Sequence, residues 1–138
     1  MNNTAVLTLS KRGNVQPTAA TKAPSPSLSF QASAILDHLS LLGDDIEVLA
    51  GDARVSGLGG VLALVAHDAA QAARTYAADD NWLGHEDARI CAKTGLSACA
   101  GLLRSIMVLG DAKTSELVWA PFEEAEQMWV ELEVAGLH

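Results

Sequence analysis

Seven apolar residues, Ala32, Ile35, Leu39, Leu42, Ile46, Leu49 and Ala53, recur in alternating steps of three and four. That period puts all seven on one face of an α-helix and leaves Asp37, His38, Asp44, Asp45, Glu47 and Asp52 off it. No strand carries such a stripe, so the chain must supply other helices to cover it. The spacing predicts a helix over about 30–53 with Ser29 as its N-cap. Gly43 interrupts the pattern, weakens the helix by up to about 1 kcal/mol against alanine, and permits a close contact or a bend.

Three further segments have helical period. Residues 57–78 carry Leu58, Val61 or Leu62, Val65, Ala69, Ala72 or Ala73, and Tyr76 on one face. Residues 79–84 are expected to turn, and 85–109 to form a helix with the stripe Ala88, Ala92, Leu96, Cys99, Leu103 and Ile106. Cys91, Gly95 and Cys99 give this third helix a small-residue side on which another helix can lie close. The last helix, over 116–135, takes Pro121 as a first-turn residue and buries Val118, Phe122, Ala125, Trp129 and Leu132. Composition agrees, with 24 Ala and 19 Leu against ten Val and four Ile. The expectation is an all-α chain of one domain, an antiparallel four-helix bundle over 28–138. Before it, residues 1–27 hold three of the four prolines among Ser, Thr and Ala, and are expected to be a disordered tail.

Charge narrows the function. Residues 1–27 carry Lys11, Arg12 and Lys22 and no acid, whereas 28–138 hold six basic and 17 acidic residues, a net −11. Such a body repels phosphate backbones, so direct nucleic-acid binding is not expected. The apolar run 57–66 is too short to span a bilayer, and 90–109 is broken by Lys93 and Arg104. Cys91 and Cys99, eight apart on one helix, lie too far apart to bridge, and free thiols suit a cytoplasmic location.

Catalytic and metal motifs are sparse. No Glu stands three residues before any of the four histidines, as a ferritin-like site requires. The sequence around His67 lacks the Lys and Gly of a phosphotransfer bundle, and no Gly-x-Ser-x-Gly elbow occurs. Gly57-Leu58-Gly59-Gly60 matches no phosphate-binding fingerprint. The weak metal candidates are His67, His85 and Cys91. No cofactor is expected.

The leading expectation is therefore a non-enzymatic interaction or regulatory module that self-associates or docks on a partner protein, a basic one being the complement of its charge. Its candidate contact residues are Trp119, Phe122, Glu123, Glu124, Glu126 and Trp129, large anchors beside acids on the last helix. Three alternatives remain open. One is an acidic decoy that occupies a nucleic-acid-binding protein, in the manner of phage-encoded inhibitors. Another is a small metal protein or enzyme around His67, His85 and Cys91. The third is a secreted effector, because the acid-free, Ser/Thr-rich start resembles bacterial type III secretion leaders.

Overall fold

The computed structural model describes residues 26–136, with side chains from Leu28 onward. They form four helices and no strand: α1 (Pro26–Leu49), α2 (Ala53–Ala77), α3 (Trp82–Leu109) and α4 (Ala112–Ala135). The connections are only two to four residues long, and the apolar stripes of the helices meet in one shared core. The tail expected over 1–27 lies outside the described residues up to 25. Its last two residues already belong to α1, with Pro26 in the first helical position that its fixed φ favours.

Helix ends follow caps that hydropathy does not mark. α1 stops at Leu49, four residues short of the expected end, because Asp52 caps α2: its carboxylate accepts the backbone N–H groups of Arg54 and Val55 at 2.7 and 3.3 Å. Ala53 thus opens α2. Asn81 accepts the N–H of Gly84 at 2.8 Å, so Trp82, Leu83 and Gly84 form the first turn of α3 and not part of a loop. Asp111 accepts the N–H of Thr114 at 2.8 Å and starts α4 before the expected 116. Pro121 consequently sits in the helix interior, where its nitrogen has no proton to give the carbonyl of Leu117. Ser29 is no cap. It is buried within α1, and its carbonyl accepts the Ser33 hydroxyl at 3.0 Å.

The core stripe of α1 keeps Ala32, Leu39 and Ile46 of the apolar one, but its alternate positions move one step, from Ile35 and Leu42 to Leu36 and Gly43. Ser29, Ala32, Leu36, Leu39, Gly43 and Ile46 are buried, Ile35 and Leu42 only partly, and Leu49 is 75% exposed. Gly43 is the cause. An ideal Cβ placed on it would lie 2.5 Å from both the Ala63 nitrogen and the Gly59 oxygen of α2. A Cβ on Gly59 would reach the Gly43 oxygen and the Glu47 nitrogen at 2.8 Å. The two helices thus touch backbone to backbone. α2 continues the theme with Ala63, Ala66, Ala70 and Ala73 buried, and Val61 and Tyr76 turned outward. Polar bonds pin the pair: Arg74 to Asp37 at 2.9 Å, the Ser40 hydroxyl to the Ala63 carbonyl at 2.9 Å, and the Ser56 hydroxyl to the Glu47 carbonyl at 2.7 Å. On α3, Gly95 receives Ala69 of α2.

α3 and α4 are joined differently, by cations of α3 reaching α4. Arg89 is buried. Its guanidinium holds both oxygens of Glu86, at 3.0 and 2.7 Å, and donates to the Leu132 carbonyl at 3.0 Å in the last turn of α4. It therefore gives a second donor to a last-turn carbonyl that already accepts the Gly136 N–H at 3.2 Å, and places positive charge at the negative pole of α4. Lys93 binds Glu133 and lies 5.7 Å from the Trp129 ring centre, and Arg104 reaches Glu126 at 3.3 Å over the Phe122 ring. α3 has the length and hydropathy of a membrane span, but these three cations tie it to α4.

Two measurements test this account. Gly43→Ala forces α1 and α2 apart and should cost about 1–3 kcal/mol, whereas Gly57→Ala, with open space around its Cβ position, should gain up to about 1 kcal/mol. Urea unfolding reads both, and equal effects would refute the backbone contact. The second test concerns acid. Hydrogen bonds from Arg89 hold the Glu86 carboxyl below its ordinary 4.5, and Glu133, Asp52 and Asp111 are lowered by Lys93, Arg54 and the Thr114 N–H respectively. A carboxyl whose folded pKa is depressed adds stability above its unfolded pKa and loses it as pH falls through the folded value. Stability should therefore hold from pH 7 to about 5 and fall below about 4.5. Arg89→Met should cost about 3 kcal/mol at pH 7, the low end for breaking a buried pair, and make the acid decline shallower.

Candidate interaction surface

The core face of α4 is Val118, Phe122, Ala125, Met128 and Leu132. The opposite face has a regularity of its own: Glu116, Trp119, Glu123, Glu126, Val130 and Val134 recur in steps of three and four. All six are exposed, with Trp119 at 53%, Val130 at 46% and Val134 at 52%. α4 thus has two stripes, one buried and one mixing acids with large apolar groups.

The six residues singled out from the sequence divide across these faces. Trp119, Glu123 and Glu126 share the outer stripe. Trp119 lies tilted against Phe122, ring centres 6.0 Å apart, so Phe122 supports the surface from the core and is not itself presented. Trp129 is half-buried beside the stripe. Glu124 is not part of this face: it lines a different groove, against α1, with His38, Asp45 and Leu117.

Trp129, Glu126 and Val130 form one wall of a groove between α3 and α4, of about 380 Å³. Its other wall and floor are α3's Ser97, Ala100, Gly101 and Arg104 above Leu96. Gly101 decides its depth, since a Cβ there would meet nothing within 4 Å. The Arg104–Glu126 pair spans the groove. Sequence reading missed Gly101, Val130 and Val134. The two valines were findable from the second three-and-four stripe. Gly101 was not, because a glycine that opens a groove has the same letter as one that closes a helix contact.

Charge on α4 is mostly uncommitted. Of its six glutamates, Glu126 and Glu133 have a cation within ion-pair distance, and Glu116, Glu123, Glu124 and Glu131 have none among the described residues. An acidic, partly apolar surface of this kind attracts a cationic partner and repels polyphosphates.

The weak metal candidates are not brought together. His67 is exposed on α2 in a groove with Asp44 and Glu47 of α1. His85 lies at the start of α3, its Nε2 3.3 Å from Asp80 without hydrogen-bond geometry. Cys91 is half-buried further along α3. Among the described residues no three His, Cys, Asp or Glu side chains are placed to hold a metal ion. Neither thiol is activated: burial, then Asp87, raises Cys91, and burial pushes Cys99 up to about 12.

Comparison with protein-family models, with curated proteins and with solved structures finds no match to this chain.

Both cysteines are free. Iodoacetamide at pH 8 should therefore modify Cys91 slowly and Cys99 only after unfolding, as read by intact mass with and without urea. Rapid labelling of Cys99 in the native protein would overturn its burial.

Proposed function

We propose that the chain is a non-enzymatic protein–protein interaction module, an antiparallel four-helix bundle that presents the outer face of α4 and the α3–α4 groove to another protein. The antiparallel order is supported by register: rising positions on α1 bond falling positions on α2, from Asp37–Arg74 through Ser40–Ala63 to Glu47–Ser56. Likewise Arg89 bonds Leu132 and Arg104 bonds Glu126.

One observation carries the reading. Among the described residues sixteen large apolar side chains are exposed, whereas twelve, Met128 included, are buried. A single exposed leucine is ordinary, but apolar groups gathered on a surface mark a binding site. On α4 they are gathered with tryptophan, the side chain most enriched at binding hot spots. The free thiols fit a reducing compartment such as the cytoplasm.

A second reading, the acidic decoy, is favoured by the four glutamates of α4 that have no cation partner among the described residues. Salt separates the two. A decoy contact is almost wholly electrostatic and fails as salt rises, whereas an apolar contact centred on Trp119 and Trp129 persists.

The test is site-specific photo-crosslinking in the native cell. A photoreactive residue at Trp119 should give one discrete protein adduct, and the same residue at the exposed Gln71 of α2 should give none. Identical adduct patterns from both positions, or none from Trp119, would sink the proposal.

A further inference from the structure

The outer stripe of α4 identifies the kind of partner. We infer that the α3–α4 groove receives a basic amphipathic α-helix, its apolar side chains seated over Gly101 between Trp129 and α3, its lysines or arginines opposite Glu116, Glu123 and Glu126. This rests on the interaction reading above and adds the occupant.

Three features lead there. The first is period. Steps of three and four on the surface of a helix form a seam that a second helix matches, as in a coiled coil, where apolar positions pair with apolar ones and charges with opposite charges. The α4 stripe alternates Glu, Trp, Glu, Glu, Val, Val, so its complement is a helix mixing cations and apolar anchors. The second is charge. Glu116 and Glu123 make no ion pair among the described residues, and Glu126 is held only by Arg104, whose side chain is 61% exposed and free to give way. A second copy of this acidic body would bring like charges together across the same face, which disfavours a symmetric pair. The third is depth. Gly101, with Ala100 and Ser97 beside it, keeps the α3 side low enough for a helix to approach. A glycine in the middle of a 28-residue helix weakens it, and none of the described residues fills the space over it.

Gly101→Leu separates this idea from a merely structural account. The side chain enters open space and replaces glycine by a strong helix former, so the fold gains stability while the groove is filled. Gly57→Leu is the matched control, equally open but in the α1–α2 groove. The probe is a fluorescent 21-residue peptide with leucine on one helical face and lysine on the other, titrated into the full-length protein and followed by anisotropy and by amide shifts. The expected result is binding that shifts Gly101 and the Trp119 and Trp129 indoles, weakened at least tenfold by Gly101→Leu and less than twofold by Gly57→Leu. Equal weakening by both, shifts confined to another face, or no binding would overturn the inference. So would self-association of the protein blocked by Gly101→Leu, which assigns the groove to a second copy. Faster trypsin cleavage at Lys11 and Arg12 in that variant would overturn it too, assigning the groove to the chain's own N-terminal segment. If crosslinking from Trp119 captures a partner that presents no basic helix, the interaction module stands and only the occupant falls.

Discussion

Everything in this bundle is scaled by the contact between Gly43 and Gly59. There the backbones of α1 and α2 meet with no side chain between them. Helices ordinarily pack 8–10 Å apart, the distance depending on the side chains at the contact. Replacing those side chains by glycine brings the axes together, and the rest of α2 must then present small groups to stay close. It does so with Ala63, Ala66, Ala70 and Ala73. A core lined on one side by alanine has little volume for leucine, valine and tryptophan from elsewhere. Val61 and Leu64 lie outside, while the inner positions of α2 take Val55 and Leu62 and are otherwise held by alanine and glycine.

Hydrophobic period read this architecture unevenly, and the reason is the same glycine. Every predicted stripe residue of α3 is buried, and on α4 only Trp129 departs, staying half-exposed while Met128 takes the inner position. Those two helices meet through ordinary side chains, where apolarity reports burial. On α1 the pattern of apolar letters placed Ala32, Leu39 and Ile46 correctly and missed the alternate positions by one step. Ser29 and Gly43 are buried but do not score as hydrophobic, and Leu49 scores but is exposed. Helix starts were misplaced where Asp52, Asn81 and Asp111 cap by side-chain geometry, which a moment or stripe does not sense. Pro121 misled for a related reason. Its usual place is a first turn, yet here it sits where the carbonyl it leaves unbonded, that of Leu117, belongs to a half-exposed residue and can turn to water.

The candidate surface was legible in part because tryptophan beside glutamate is conspicuous. Trp119, Glu123 and Glu126 do share a face, but adjacency in sequence is not adjacency in space: Glu123 and Glu124 point about 100° apart on the helix, and it is Glu124 that lines the groove against α1. Arg89 was invisible for the opposite reason. One arginine near acids reads as a solvated pair, and only the fold shows its guanidinium buried against the Leu132 carbonyl.

The two ways of joining helices divide the molecule into unlike halves. Between α1 and α2 the backbones touch at Gly43 and Gly59, with the Arg74–Asp37 pair and two hydroxyl bonds alongside. Between α3 and α4 apolar side chains meet in the core and charge reaches across above them, through Arg89, Lys93 and Arg104, more weakly toward the open groove. Arg89 is 8% exposed by side chain, Lys93 26% and Arg104 61%. The attraction between opposite charges falls steeply as water enters, so the Arg104–Glu126 end is the least costly of the three to open. That end is where Gly101 leaves space and Trp129 and Val130 line the groove. A surface that must admit another helix is best placed where the closing interaction is weak, provided the remaining joints hold. The gradient along α3, from the buried arginine at its start to the wet pair near its end, supplies both conditions in one element.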